Sequence, residues 1–199
     1  MNADEALAAI ETDASFACPA RLADQALSFY VPVFAYEFND ENAPEIFLPP
    51  VSYPYGAAHE SELQYFFPAE DLAHLPGPPP QLRAGQRELS EKMMRYWTQF
   101  AKNGDPNGPQ TPDWTEYAPS RGEFQSLAPL LIAPEADFAA SHRCDFWATL
   151  FSAIADQGHA DIGVACRGCA SIRHAAATPA VSGSCGGKPY LTRAIAGVD

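Results

Sequence analysis

The segment VPVFAYEFND, residues 31–40, constrains the fold more than any other part of the chain. In an extended backbone its alternate residues are apolar on both sides: Val31, Val33 and Ala35 on one, and Phe34, Tyr36 and Phe38 on the other. A strand with two apolar faces is typical of a sheet that helices cover on both sides. The segment therefore predicts an α/β fold with this strand inside the sheet.

Three segments predict helices that could provide this cover. CPARLADQALSF, residues 18–29, has Leu22, Ala26 and Phe29 on one face. The stripe of QRELSEKMMRYWTQFAKN, residues 86–103, consists of Leu89, Met93, Trp97 and Phe100, with Met94 and Ala101 beside them. CDFWATLFSAIADQ, residues 144–157, is amphipathic through Phe146, Leu150 and Ile154. Gly104 and Pro106 are expected to end the second helix.

Composition and charge exclude several classes of function. The chain has 199 residues, of which 47% are apolar and 19% charged, as expected of a globular protein. Its net charge of −13 argues against binding to nucleic acid or to an anionic membrane, since both need a basic surface. The opening MNADEALAAIETDASF predicts no signal peptide, and no apolar run is long enough for a transmembrane helix.

The C-terminal region, residues 158–199, differs from the rest in charge and pattern. The acidic excess lies entirely in the first 150 residues, and the tail is rich in Ala and Gly without hydrophobic periodicity. We expect a domain over residues 1–157 and an unassigned tail over 158–199, irregular or disordered, or translated through a shifted reading frame. Cys166 and Cys169 form C-x-x-C, but their spacing to His159, His174 and Cys185 matches no metal motif. No metal and no cofactor are predicted.

His59 is the candidate for chemistry. It follows Gly56 and two alanines in SYPYGAAHESELQYFF, residues 52–67, in a loop after the predicted strand. Such a loop can present an imidazole at the carboxyl edge of a sheet, where it would act as a general base if a nucleophile and an orienting acid lay within reach. The alternative is an ordinary loop histidine, and the local residues do not separate the two.

The stretch GAAHESELQYFF resembles the catalytic-histidine loop of type B carboxylesterases and cholinesterases, which reads Gly-x-x-His-x-x-Glu before aromatic residues. Three other segments resemble this family in the same order: DASFACPARLADQALS with VPVFAYEF, then MMRYWTQFAKNGDPN, then HRCDFW. The resemblance covers about residues 7–151. It implies the C-terminal fragment of an α/β-hydrolase fold, containing only its last strands and helices.

The resemblance also implies roles for four residues. His59 corresponds to the base of the Ser–acid–His triad, and Glu62 to a buried carboxylate near it. The alternative for Glu62 is a solvated charge beside Glu60. Cys18 and Cys144 correspond to a family disulfide, which implies an exported parent protein. They would be two buried free thiols if the chain stays in a reducing cytoplasm.

The family's nucleophile lies in a G-x-S-x-G turn, and no serine of this chain has glycine at both positions. The resemblance places the nucleophile, the triad acid and the oxyanion hole upstream. We therefore expect a carboxylesterase fragment that is inactive alone and whose substrate in a complete enzyme is a carboxylic ester. The alternatives are a subunit that complements a missing N-terminal chain in a split esterase, and a non-catalytic interaction module.

Overall fold

The structure, a computed structural model, describes residues 3–49, 51–72, 77–161 and 194–198, with side chains described through Ile154. At its centre is a four-stranded mixed sheet in the order β3-β2-β1-β4. Its strands are β1 (Val33–Phe38), β2 (Phe124–Ala128), β3 (Leu131–Glu135) and β4 (Ala194–Val198). β1 runs parallel to β2 and β4, while β2 and β3 form an antiparallel hairpin. The prediction that β1 lies inside the sheet is confirmed.

The two faces of β1 pack into two separate apolar cores, as its alternation predicts. Val33 and Ala35 belong to a core that also contains Phe124 and Phe138. Phe34 and Phe38 belong to the opposite core, with Tyr65, Leu89, Met93, Tyr96, Trp114 and Leu127. The loop that leaves the end of β1 therefore starts from a strand fixed on both sides.

A long helical segment precedes β1. It consists of α1 (Ala3–Thr12), a π-helical turn (Asp13–Ala17) and α2 (Cys18–Leu27). In the π-helical turn the backbone N–H of Cys18 donates to the carbonyl of Asp13, five residues back. Such turns are rare and are held by their surroundings. The segment thus changes its helical register just before the predicted disulfide cysteine.

The helix α4 (Ala84–Asn103) follows a short helix α3 (Ala69–Leu72) and ends as predicted. Gly104 adopts a φ of 68°, and its N–H donates to the carbonyl of Phe100 at 2.7 Å. Leu89 and Met93 are buried, and Trp97 and Phe100 pack against the same core. The expected positions of Met94 and Ala101 are wrong, since both are exposed, and Tyr96 is buried in their place.

The predicted apolar faces of two helices do not meet the sheet. Leu22 and Ala26 of α2 are exposed, and so is Phe29, which follows the helix. Asp24 of the same helix is fully buried. The helix α6 (Cys144–Asp161) follows the short α5 (Phe138–Ser141). Its predicted apolar residues Phe146, Leu150 and Ile154 are exposed, and the helix packs through Trp147 and Phe151 instead. Periodicity indicates which residues share a face, but tertiary contacts decide which face is covered.

The expected irregular tail, residues 158–199, contains two regular pieces within the described part of the chain. The helix α6 continues to Asp161, beyond the predicted boundary at 157, and β4 pairs with β1 from Val33 to Glu37. Residues 162–193 lie outside the described residues. Within the described ranges, no helix is both long and apolar enough to cross a membrane.

Candidate active site

His59 lies at the tip of a tight turn in the loop after β1. The N–H of Ser61 donates to the carbonyl of Ala58, and the N–H of Leu63 donates to that of Glu60, each at 3.0 Å. Glu60 has a φ of 72°, a left-handed conformation that few residues other than glycine adopt. This turn leaves the imidazole of His59 exposed. An exposed imidazole is accessible to a substrate.

A cleft of about 420 Å³ lies beside His59. One wall is the face of α1 and the π-helical turn, and the other is the loop before the histidine. The lining residues are Glu5, Ala8, Glu11, Thr12, Phe16, Leu48, Tyr53, Pro54, Tyr55, Ala57, Ala58 and His59. The ring of Phe16 contacts the imidazole, with centroids 4.8 Å apart and planes tilted by 35°. The cleft is thus largely apolar and aromatic, with two carboxylates and one imidazole.

Buried hydrogen bonds fix the loop behind this turn. Asp40, at the end of β1, accepts hydrogen bonds from the hydroxyl of Tyr65 and from Nε2 of Gln86, the latter at 2.8 Å. Burial, and then the bond to Asp40, raise the pKa of Tyr65, so its hydroxyl stays protonated as a donor. Ser90 of α4 also donates to the Tyr65 carbonyl at 2.7 Å. These bonds join the strand end, the 3₁₀ turn Leu63–Tyr65 and α4.

Glu62 is buried, with 8% of its surface exposed, whereas Glu60 is exposed. A solvated charge beside Glu60 is therefore the wrong description of Glu62. Its supporting role toward His59 stays a prediction. Ser61, between the two acids, is only 2% exposed, and the lining of the cleft contains neither serine nor cysteine.

The predicted disulfide between Cys18 and Cys144 is present, with the Cα atoms 5.2 Å apart. It joins the first residue of α2 to the first residue of α6, and both cysteines are buried in the core that contains Phe124 and Phe138. The bond therefore fixes the chain directly after the π-helical turn, at a position two residues beyond Phe16.

A buried ionic cluster on the same side of the sheet was not predicted from the sequence. Nδ1 of His142 lies 2.8 Å from Oδ1 of Asp13, and its Nε2 lies 3.0 Å from Oε1 of Glu37. Burial lowers the pKa of His142, but the hydrogen bonds to Glu37 and Asp13 together raise it above its ordinary value. Glu135 lies nearby, and burial followed by the charge of Glu37 raises the pKa of Glu135 to about 7. One sequence signal existed: Glu37 is an acid in an otherwise apolar strand, and a buried charge needs a partner.

Asp24 is a second buried acid that the sequence did not predict. It is fully buried on α2, and neither carboxylate oxygen has a hydrogen-bond partner. Burial raises the pKa of Asp24 from 3.8 to about 7. The helix therefore places a carboxyl group where an apolar side chain would be more stable.

Within the described ranges, no three His, Cys, Asp or Glu side chains are grouped so that they could hold a metal ion. The side chains of Cys166, Cys169, Cys185, His159 and His174 lie outside the described part of the chain. The predictions made for them stay predictions.

Comparison with known proteins gives a consistent result. The family model described as "Carboxylesterase family" matches residues 2–147. An acetylcholinesterase from Bungarus fasciatus is 31% identical over 147 residues, which are 72% of this chain and 22% of the relative. A cocaine esterase from Homo sapiens is 30% identical over 68% of this chain and 22% of the relative. A bile salt-activated lipase from Rattus norvegicus is 31% identical over 63% of this chain and 20% of the relative. The chain thus spans less than a quarter of the length of these relatives.

Proposed function

Because the chain belongs to the carboxylesterase family, we propose that it contributes the histidine of a serine ester hydrolase, with His59 as the general base. The exposed position of His59 beside an apolar cleft carries this proposal. A general base must reach the proton that it removes, and a cleft lined by aromatic rings can hold the apolar part of an ester. The relatives named for acetylcholine, cocaine and lipid hydrolysis support carboxylic esters as the substrate class.

In the complete site, the serine hydroxyl would attack the ester carbonyl while His59 accepts the hydroxyl proton. The imidazolium would then return that proton to the departing alcohol, and water would repeat the two steps on the acyl-enzyme. An acid would orient the imidazole and stabilise its charge. The contribution of this chain is the imidazole, the wall of the cleft beside it, and the Asp40 hydrogen bonds that hold the turn.

We propose that the chain alone does not hydrolyse esters. The lining of the cleft contains neither serine nor cysteine, and Ser61 is buried behind the turn. The loss of a single oxyanion donor costs about 10²–10³ in rate, and the loss of the nucleophile removes the covalent route altogether. The remaining imidazole chemistry would match that of free imidazole in solution.

Two measurements test this proposal. The first is hydrolysis of p-nitrophenyl butyrate by the purified chain and by His59→Ala, where equal rates at buffer level are expected. Turnover that His59→Ala abolishes would reveal a nucleophile within this chain and overturn the inactive-alone assignment. The second is a graft of residues 2–147 into a complete carboxylesterase in place of its own matching segment. We expect activity that His59→Gln lowers by at least about 10³-fold.

The graft decides the role of His59. A folded graft, judged by circular dichroism, that keeps its activity with Gln at position 59 would contradict the catalytic role. So would a folded graft with no activity at all. Glu62→Gln in the same graft tests the supporting carboxylate, and a rate unchanged by it would remove that role.

A second candidate function is a subunit of a split esterase, and the exposed apolar face favours it. A groove of about 250 Å³ between α1 and α6 is lined by Ile10, Phe146 and Trp147, among others, and Ile10 and Phe146 are more than half exposed. We propose the remaining part of the esterase domain, on a separate chain, as its occupant. Co-expression with the N-terminal part of a carboxylesterase, followed by light scattering, tests this. The proposal would be contradicted if the two chains do not associate. It would also be contradicted if Phe146→Glu does not weaken their association.

A further inference from the structure

The π-helical turn connects two features that lie on opposite sides of it. Its first residue, Asp13, is 4% exposed and faces His142 and Arg143. Phe16, three residues later, faces the cleft and contacts His59. Asp13 and Phe16 therefore lie on one short turn, with contacts to two different parts of the molecule.

The geometry of His142 favours its charged form. Both ring nitrogens face carboxylate oxygens, at 2.8 Å from Asp13 and 3.0 Å from Glu37. A neutral imidazole has one N–H, so its other nitrogen would direct a lone pair at a carboxylate. Only the imidazolium donates to both acids. The side chain of His142 is 15% exposed, which strengthens both bonds relative to bonds in water.

The charges around His142 come from every element packed against it. Asp13 lies on the π-helical turn, Glu37 on β1 and Glu135 on β3, and Asp137, before α5, acts on Glu135. The cation among these neighbours is Arg143, which donates to Oδ2 of Asp13 at 3.3 Å and has a 61% exposed side chain. The ring of Phe138 covers the imidazole at a centroid distance of 4.5 Å. Acids thus outnumber bases, and the balance favours a protonated His142, in line with its raised pKa.

We propose that His142 is a positioning residue for the proposed base His59: bound between Asp13 and Glu37, it holds the π-helical turn on β1 and thereby fixes Phe16 against the His59 ring. This inference rests on the proposed function, since the position of His59 matters only if His59 is the base. The disulfide at Cys18 fixes the far end of the same turn. The turn therefore has one covalent and one ionic anchor.

The pH dependence follows from the direction of the pKa shift. The His142 pKa is raised in the fold, so the ionic anchor is complete below the pKa of an unfolded histidine, about 6.5. It is lost as the pH rises through the folded value. The contact between Phe16 and His59 should weaken over the same range.

The experiment measures this contact by NMR on the full chain, and it needs no ester turnover. The measured quantity is the chemical shift of the carbon-bound ring protons of His59. The ring-current shift caused by Phe16 is the difference in this chemical shift between the unaltered chain and its Phe16→Leu variant at the same pH. In the unaltered chain we expect a ring-current shift that is largest at pH 6 and declines as His142 loses its proton. In the His142→Gln variant we expect the shift at pH 6 to be at least twofold smaller and to stay constant as the pH rises.

Two further variants make the result specific. Phe34→Leu destabilises the opposite core and should leave the ring-current shift intact, whereas a general loss of stability would reduce it too. Asp13→Asn removes the carboxylate that binds His142, so it disrupts the same interaction from the partner residue. It serves as the test if His142→Gln does not fold. An unchanged shift in His142→Gln or Asp13→Asn, or a shift in the unaltered chain that does not follow the titration of His142, would overturn the inference. Neither result would affect the His59→Gln graft, so the two proposals fail separately.

Discussion

The carboxylate of Asp40 accepts a hydrogen bond from the hydroxyl of Tyr65, and this bond joins the end of β1 to the turn that follows His59. Both residues are buried, at 3% and 1% exposure. The two are 25 positions apart in the sequence, and the whole histidine loop lies between them. The bond thus closes the histidine loop at its base.

Tyr65→Phe should therefore destabilise the chain. A hydrogen bond to a buried charged group is worth about 1.5–3 kcal/mol. Asp40 would keep its bonds from the Gln86 amide and from the backbone N–H of Asn42. We expect a loss of that size in the free energy of unfolding in urea. Tyr30→Phe is the matched control because Tyr30 is 86% exposed. Equal stability of the two variants would show that the Asp40 bond contributes nothing.

Loss of the disulfide should cost more than any single hydrogen bond. The bond closes a loop across a sequence separation of 126 residues, which on the chain-entropy model contributes about 4–5 kcal/mol. The double variant Cys18→Ala/Cys144→Ala should lower the midpoint of thermal unfolding accordingly. Adding a reductant should lower the midpoint of the unaltered chain and leave that of the double variant where it is. A midpoint insensitive to both changes would contradict this prediction.

Asp24→Asn should stabilise the chain at alkaline pH. The folded pKa of Asp24 is raised from 3.8 to about 7, so the folded state holds the proton more tightly than the unfolded state. Ionisation of Asp24 therefore lowers the free energy of unfolding. This loss is absent below about pH 4, grows as the pH rises to about 7, and is constant above that. Removing it should add a few kcal/mol, at most about 4, to the free energy of unfolding at pH 8.

The control for this prediction is Asp4→Asn, because Asp4 is exposed on α1. Urea unfolding at pH 4 and pH 8 gives the comparison. The gain in Asp24→Asn should be larger at pH 8 than at pH 4. A gain of the same size at both values would mean that burial of the ionised carboxylate has no cost.

Removal of β4 should open the edge of β1. Residues 194–198 pair in parallel with Val33–Glu37, so a chain ended after residue 193 would leave these backbone groups unpaired. Unpaired edges of apolar strands associate with other chains. We expect dimers or larger species whose fraction rises with concentration in light scattering. Ala196→Pro, which removes one backbone donor inside β4, should act in the same direction, and a monomeric truncated chain would contradict the pairing.

Local sequence was sufficient for the elements that the chain builds from neighbouring residues. The double apolar alternation of residues 33–38 predicted an interior strand, and Gly104 predicted the end of α4, because in both cases the determining groups are adjacent in the sequence. The family resemblance added the disulfide, which no local pattern could pair.

The parts that failed depend on distant contacts. Leu22 and Phe146 lie on clear apolar stripes yet are exposed, because which stripe is covered depends on the other elements present. His142 binds acids 129 and 105 positions away, and a pattern read along the chain cannot bring such residues together. Glu37, an acid within an otherwise apolar strand, was the local sequence signal of that cluster.

The π-helical turn has a consequence for changes in chain length. An α-helix advances by about 100° per residue, so deleting one residue between Asp13 and Ala17 would restore a regular helix and rotate α1 by about that angle around its axis. Glu5 and Glu11 would then leave the wall of the cleft. Substitutions in α1 alter this wall one side chain at a time, whereas a single codon lost from the turn would exchange the entire wall at once.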